Sequence, residues 1–215
     1  MEQNINKTID FLKEQFNKSR YMSQNEKSKK YRLEHTIRVA NIGKEIAKTD
    51  GLNEELLIIG CLLHDISYIN EFHSEEDWIN HGRNSAKIAR PFLETLELND
   101  EQVDEICYGI AIHVDDKSDF PGERSPLAVS IGDCDNIDRF DVFRIYENLE
   151  NKSFAGLPYE EQIEYVVKVL DNLNKYKNME LSTKAGTDMW VDKITFQILF
   201  YERLKSQLEA SNSIL

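Results

Sequence analysis

Two ionisable residues, His64 and Asp65, directly follow an apolar run over residues 56–63. Burying ionisable groups at the end of such a run is costly unless they find partners. The pair therefore either closes a helix or binds something. Imidazole and carboxylate groups are ligands for Zn, Mn, Fe and Co, so the second alternative predicts a transition-metal site.

Other histidines and aspartates are candidates to share such a site. His35 lies on the apolar stripe of an expected helix, His81 begins another helix, and His113 ends a third on its inward face. Aspartates are unusually dense in IGDCDNIDRFD, residues 131–141. Each feature alone fits a hydrogen-bonded core residue or a helix cap, but their joint occurrence favours a metal centre. A Ca site would need mostly oxygen ligands, so we do not expect one. We expect the remaining histidine, His73, to be solvated.

Helices are the elements that must position these side chains. Apolar residues recur at helical spacing along most of the chain, with Asn53 as an expected N-cap and Asp50-Gly51 as a helix end. The periodicity predicts helices over about residues 5–16, 31–48, 56–65, 82–98 (with a kink at Pro91), 99–113, 127–149 (interrupted), 159–173 and 185–208. We expect loops at 23–30 and 115–126 and an irregular segment at 68–80. The fold class is therefore all-α, with one compact domain over residues 1–215.

Charge and cysteine content narrow the functional classes. The 215 residues carry a net charge of -13, which disfavours a duplex nucleic-acid binder or a protein of anionic membrane surfaces. The first residues lack the apolar core of a signal peptide or membrane span. Three separated cysteines, Cys61, Cys107 and Cys134, are expected to be reduced, which suits a cytoplasmic location.

The order of these motifs resembles the H…HD…D signature of the HD-domain superfamily of metal-dependent phosphohydrolases. The resemblance rests on EHTIRVANIGKEIA around His35, GCLLHDIS around His64-Asp65, and CDNID, which makes Asp135 the expected last ligand and Asp133 the competing choice. It covers residues 31–140 and implies a compact helical bundle of the HD-domain type. One divalent transition metal (Mn, Fe, Co, Ni or Zn) would be held by His35, His64, Asp65 and Asp135.

The resemblance also implies a place for a second metal ion. Relatives with two metals carry two further histidines between the HD pair and the last Asp, and His81 and His113 fall there. Asp65 would then bridge the ions. Several of these hydrolases also have a Lys shortly after HD, near the substrate phosphate. The segment HDISYIN has none, so the resemblance supports metal binding more firmly than one catalytic cycle.

The expected activity is hydrolysis of a phosphate ester or anhydride of a nucleotide or related small metabolite by metal-activated water. We expect Asp65 and Arg38 to act in catalysis and Arg38, Asn84 and Tyr68 to contact substrate, although Arg38 could instead pair with a nearby aspartate. A homodimer is compatible with this hypothesis. The alternatives are a non-catalytic metal- or nucleotide-binding sensor, and a dinuclear-iron oxygenase on the same fold.

Overall fold

The structure is a computed structural model that describes residues 2–212, and within them it contains α-helices and no β-strand. This confirms the all-α prediction. The helices are α1 (Glu2–Lys18), α2 (Arg20–Gln24), α3 (Glu26–Asp50), α4 (Glu54–Leu63), α5 (Glu75–Ile79), α6 (His81–Leu93), α7 (Asp100–Ile112), α8 (Pro126–Arg139), α9 (Val142–Asn151), α10 (Tyr159–Tyr176) and α11 (Lys184–Ser211). Short 3-10 turns cover Ile66–Ile69 and Phe154–Gly156.

Contacts divide the chain into two compact units, Met1–Asn136 and Ile137–Leu215. The boundary falls within α8, three residues before that helix ends. All the predicted metal ligands belong to the first unit. The single domain predicted over residues 1–215 stays a prediction.

Helix α4 forms the centre of the first unit. Every residue from Leu56 to Leu63 is buried, and the helix packs against α1, α3 and α7. Its start is fixed as predicted, because the side chain of Asn53 accepts a hydrogen bond from the backbone N–H of Leu56 at 3.2 Å. The preceding helix ends at Asp50 and is capped by Gly51, whose φ of 71° is the left-handed conformation that favours glycine. Burial of α4 on all sides therefore delivers its C-terminal residues into the middle of the unit.

Helices α6 and α7 pack side by side and carry two of the histidines. A capping box between Asn99 and Gln102 starts α7 where the sequence predicts. Helix α6 includes Pro91 but ends at Leu93, so its predicted extent to residue 98 was wrong. Proline cannot donate the next helical hydrogen bond, which is consistent with an early end.

The predicted loop at 23–30 was also wrong. Apart from Asn25, this segment belongs to α2 and to the first turn of α3, which starts at Glu26. Glutamate and lysine are good helix formers, and Glu26 pairs with Lys29 one turn later at 3.7 Å. The helix shows no apolar period here because nearly all of this first turn is exposed.

The second unit contains α9, α10 and α11, with α10 packed along α11. Its aromatic centre includes Trp190, which is 2% exposed and whose Nε1–H donates to the carbonyl of Tyr176 at 2.9 Å. The Phe140 ring lies 4.8 Å from that of Trp190, and Gln197 donates to the Phe140 carbonyl at 2.6 Å. The two helices predicted at 159–173 and 185–208 are thus found, each slightly longer than predicted.

The three cysteines are buried and free, as expected. Burial raises the pKa of the Cys107 thiol to about 12, which keeps it protonated and unreactive. Among the described residues, no helix combines the length and apolarity that a membrane crossing needs.

Candidate metal centre

The first unit brings six predicted ligands together from five helical segments. His35 lies on α3, His64 and Asp65 follow α4, His81 begins α6, His113 follows α7, and Asp135 lies on α8. Imidazole and carboxylate groups that could hold a metal ion form two overlapping sets, each with its ligand atoms within 4.8 Å of one another. These sets are His35, His64 and Asp135, and His64, Asp65 and His113.

The carboxylate of Asp65 lies between two pairs of histidines. Its Oδ2 atom is 3.6 Å from the Nε2 atoms of both His35 and His64. Its Oδ1 atom is 3.3 Å from Nε2 of His81 and 3.7 Å from Nε2 of His113. One residue thus offers a different oxygen to each pair.

Asp135 faces the first of these pairs. Its Oδ1 atom lies 3.2 Å from Nε2 of His35 and 3.8 Å from Nε2 of His64. The competing residue, Asp133, is buried at 8% exposure but belongs to neither set of candidate ligands in the described chain. The geometry therefore favours Asp135 over Asp133 as the second carboxylate beside His35 and His64.

Three of the histidines are held by the same local interaction. Nδ1 of His64 lies 2.7 Å from the carbonyl of Cys61, and Nδ1 of His113 lies 2.7 Å from that of Ile110. His81 makes the corresponding contact with the carbonyl three residues before it, at 2.6 Å. A carbonyl can only accept, so Nδ1 must carry the proton. Each Nε2 atom is thereby available as a ligand, which is the usual arrangement around protein-bound metals.

The arrangement leaves Nε2 atoms that need a cation or a proton. Those of His81 and His113 face each other at 3.1 Å. In addition, Nε2 of His64 is fully buried with no hydrogen-bond partner in the described part of the chain. A buried polar atom without a partner costs free energy, and a bound metal ion would satisfy it. The residues present therefore fit a divalent transition metal.

Burial and charge set the protonation of the site. Burial lowers the pKa of His64 to about 4, so its imidazole is neutral near pH 7. For His113, burial also opposes protonation, but the carboxylate of Asp65 outweighs it and the pKa is raised. Burial would raise the pKa of Asp65, but the imidazoles around it and the Arg32 guanidinium outweigh burial and hold this pKa well below its ordinary value. A neutral imidazole and an ionised carboxylate are the forms that bind metals.

Sequence reasoning missed one residue of the site, Arg32. Its guanidinium donates to Oδ2 of Asp65 at 2.8 Å and lies 3.4 Å from the centre of the Tyr68 ring. The residue lies three positions before His35 on α3, and this helical spacing is the sequence signal that places it on the same face. The site thus has a cation of its own beside its two carboxylates.

The predicted substrate residues lie near the site in sequence. Tyr68 is buried, with its ring centre 5.3 Å from that of His81. Arg38 and Asn84 are half-buried, each one turn beyond a candidate ligand on α3 or α6. Their contact with substrate stays a prediction.

A largely buried ion pair lies beside His81. The side chain of Arg83 is 11% exposed and pairs with Asp115 at 2.6 Å. This ion pair ties the start of α6 to the segment after α7. His73 is 74% exposed at its side chain, as expected of a solvated residue.

Parts of this sequence are similar to those of known proteins. A sequence profile described as "HD domain" matches residues 32–142. A deoxyguanosinetriphosphate triphosphohydrolase-like protein of Clostridium tetani (strain Massachusetts / E88) is 49% identical over 49 residues, which are 23% of this chain and 14% of that protein. The chain therefore spans only a small part of that relative.

A solved structure is similar over most of the chain. It is the crystal structure of a predicted HD superfamily hydrolase from an uncultured Thermotogales bacterium, with a TM-score of 0.60. The similarity covers 93% of this chain and 90% of that one, at 19% sequence identity. At this identity the similarity establishes the fold.

Proposed function

Because this chain belongs to the HD-domain family, with residues 32–142 matching the domain, we propose that it is a metal-dependent phosphohydrolase. The observation that carries the proposal is the position of Asp65, whose two oxygens face separate histidine pairs. Such an arrangement supplies a shared carboxylate for two ions and a complete ligand set for one.

The proposed metal is a divalent ion of Mn, Fe, Co, Ni or Zn, because imidazole and carboxylate ligands suit these metals. The first ion would be held by four residues, His35, His64, Asp65 and Asp135. A second ion, if bound, would be held by Asp65, His81 and His113.

Hydrolysis of a phosphoester forms a bond from a water oxygen to phosphorus and breaks the bond to the leaving oxygen, which takes up a proton. A divalent ion supplies charge that lowers the pKa of water and offsets the negative phosphate. The protein's part is to hold the ligands in the right protonation state, as the Nδ1–H donations of His64, His81 and His113 do. Arg32 keeps the Asp65 carboxylate in place through its hydrogen bond.

The substrate we propose is a nucleotide or a related small phosphorylated metabolite. The local similarity to a protein named as deoxyguanosinetriphosphate triphosphohydrolase-like supports a nucleotide. Among residues near the ligands, Arg38, Asn84 and Tyr68 are the proposed substrate contacts, and Arg38 would assist catalysis. The three cysteines are buried and free, although the thiols of Cys61 and Cys134 are neighbours, which supports a reducing compartment, and we propose the cytoplasm.

Phosphate release by the purified protein tests the proposal. The protein would be supplied with manganese and a panel of nucleotides and sugar phosphates, in parallel with Asp65→Ala and with Asp171→Ala, a control for loss of an exposed aspartate on α10. We expect turnover of at least one class by the wild type and the control, and loss of both metal and turnover in Asp65→Ala. Retained metal and full turnover in Asp65→Ala would overturn the assignment.

If the metal-loaded wild type releases no phosphate from any phosphoester, the proposed activity is also overturned. Oxygen uptake by the iron-loaded protein would then identify an oxygenase. Nucleotide binding without turnover would identify a sensor.

A further inference from the structure

A cluster of aromatic rings extends outward from the candidate metal ligand His81. The ring centre of Tyr68 lies 5.3 Å from that of His81, 4.6 Å from that of Phe72 and 5.7 Å from that of Trp78. Phe72 and Trp78 also meet edge to face, with centres 5.1 Å apart. The indole therefore packs against two rings, and each of these rings also contacts His81.

Trp78 differs from the other rings in its exposure. Tyr68 is 9% exposed, whereas Trp78 is 51% exposed. One side of the phenol is also covered, because the Arg32 guanidinium lies 3.4 Å from its centre. Within this cluster, Trp78 is thus the ring with the largest free surface for another planar group.

Folding of the local segment does not account for this exposed indole. Helix α5 has five residues, none of them buried, and its start is fixed by a capping box between Ser74 and Asp77. The carbonyl of Trp78 accepts the Nδ1–H of His81, a backbone contact that any residue at position 78 could make. Half of a large apolar ring is left in water, at a cost that a bound partner would remove.

We propose, in an inference that rests on the proposed function, that Trp78 is a stacking platform for the aromatic base of the substrate. The phosphate would lie at the metal centre and the base, one sugar away, would stack on the indole. The protein would then prefer nucleotides to phosphoesters that lack an aromatic ring. Stacking depends little on base identity, so the platform selects nucleotides as a class.

Tryptophan fluorescence tests the contact without turnover. The chain has two tryptophans, so Trp190→Phe leaves Trp78 as the only reporter. The zinc-loaded variant would be titrated with the α,β-methylene diphosphates of adenosine and guanosine, and separately with methylene diphosphonate, which has no nucleoside. We expect the nucleotide analogues to quench Trp78 and methylene diphosphonate to leave its emission unchanged. Equal signals from both kinds of ligand, or none from bound nucleotide analogue, would overturn the proposal.

Kinetics on the otherwise unaltered chain give a second test. We expect Trp78→Ala to lower kcat/KM for nucleotides about tenfold more than it lowers kcat/KM for ribose 5-phosphate, and to do so through KM. A tenfold effect is the size expected for the loss of one stacking contact. Trp78→Phe should restore most of the preference. Tyr146→Ala, a control for loss of a 59% exposed aromatic residue in the other unit, should keep it entirely.

The results separate the two proposals. Release of phosphate from both substrates with the same preference in Trp78→Ala as in wild type would reject the platform and leave the hydrolase. No release from any phosphoester would reject the hydrolase, and the fluorescence titration would still decide whether Trp78 binds a base.

Discussion

The Nε2 atoms of His81 and His113 lie 3.1 Å apart, although the Nδ1 atom of each ring donates to a carbonyl. Two unprotonated Nε2 atoms would repel each other at this distance. In the metal-free protein a proton on His113, whose pKa is raised, can bridge them. A metal ion that binds both rings must displace that proton.

The close approach of the two rings depends on Gly82. A Cβ atom at this position would lie 2.8 Å from the carbonyl oxygen of Ala111 and 3.0 Å from Nδ1 of His113. We expect Gly82→Ala to push the start of α6 from the end of α7 and to weaken metal binding at His81 and His113 by tenfold or more. Cobalt titration followed by its absorption spectrum would measure this.

Gly156→Ala is the matched control, because a Cβ atom there meets nothing within 4 Å. It should bind cobalt as the wild type does. Wild-type cobalt affinity in Gly82→Ala would show that the spacing of these histidines does not govern the site.

Proton release on metal binding should identify His113. At pH 6.5 the raised pKa keeps His113 mostly protonated in the metal-free protein, whereas His64, with a pKa of about 4, is neutral. Metal binding requires neutral imidazole, so we expect His113 to release its proton when metal binds at this pH. The release should fall as pH rises above the pKa of His113. Calorimetry in buffers of different ionisation enthalpy measures it.

His113→Gln should lose this proton release, and His73→Gln should keep it, because His73 is exposed and belongs to neither set of candidate ligands among the described residues. Unchanged proton release in His113→Gln would contradict the assignment. Metal affinity itself should fall as pH is lowered, since protons compete for the same Nε2 atom.

The pair of Arg32 and Asp65 should stabilise the metal-free protein. The two side chains are 20% and 5% exposed, and Arg32→Gln would leave a buried carboxylate without its cation. We expect urea denaturation of the metal-free protein to show a loss of about 2 kcal/mol. Added zinc should recover part of this loss by supplying charge to the same carboxylate.

Arg124→Gln removes a comparable ion pair at the surface, where Arg124 and Asp116 are 52% and 73% exposed. Its effect should be within a few tenths of a kcal/mol, as for exposed pairs generally. Equal losses in the two variants would show that burial adds nothing to the pair of Arg32 and Asp65.

Removal of the metal should lower the thermal stability of the protein. A ligand at 100 times its Kd stabilises the folded state by about 2.7 kcal/mol, because it binds that state alone. We therefore expect Tm, measured by calorimetry, to rise with added zinc and to return to its starting value with chelator. Asp65→Ala should show no such rise, and a rise equal to that of wild type would place the metal elsewhere.

Local signals in the sequence predict most of the fold. The cap at Asn53, the left-handed Gly51 and the capping box at Asn99 each fix a helix start or end where the pattern places it. Prediction failed at residues 23–30 because a solvent-facing helical turn has no apolar period to reveal it. Such a turn is formed by helix propensity and continuity with α3.

The sequence also predicts which residues meet at the candidate centre, since inward-facing ionisable groups need partners. Helical spacing places Arg32 beside His35, but it does not identify Asp65 as the partner of its guanidinium. The sequence could not predict the buried pair of Arg83 and Asp115, because charged residues are usually solvated. Nothing in the sequence identifies Trp78 as a binding residue, because the ring contacts that distinguish it appear only in the structure.

Two helices end at the candidate centre, because His64 is the C-terminal cap of α4 and His113 is that of α7. The C-terminal end of a helix carries about half a negative charge, from carbonyls that have no partner in the helix. Helix α6 begins at the same centre with His81 and contributes the opposite partial charge, so the three helix ends together still add to the negative potential of the carboxylates and attract a cation from solution. The same potential repels a phosphate, so loading of the centre should follow a compulsory order in which the cation enters first and the anion second.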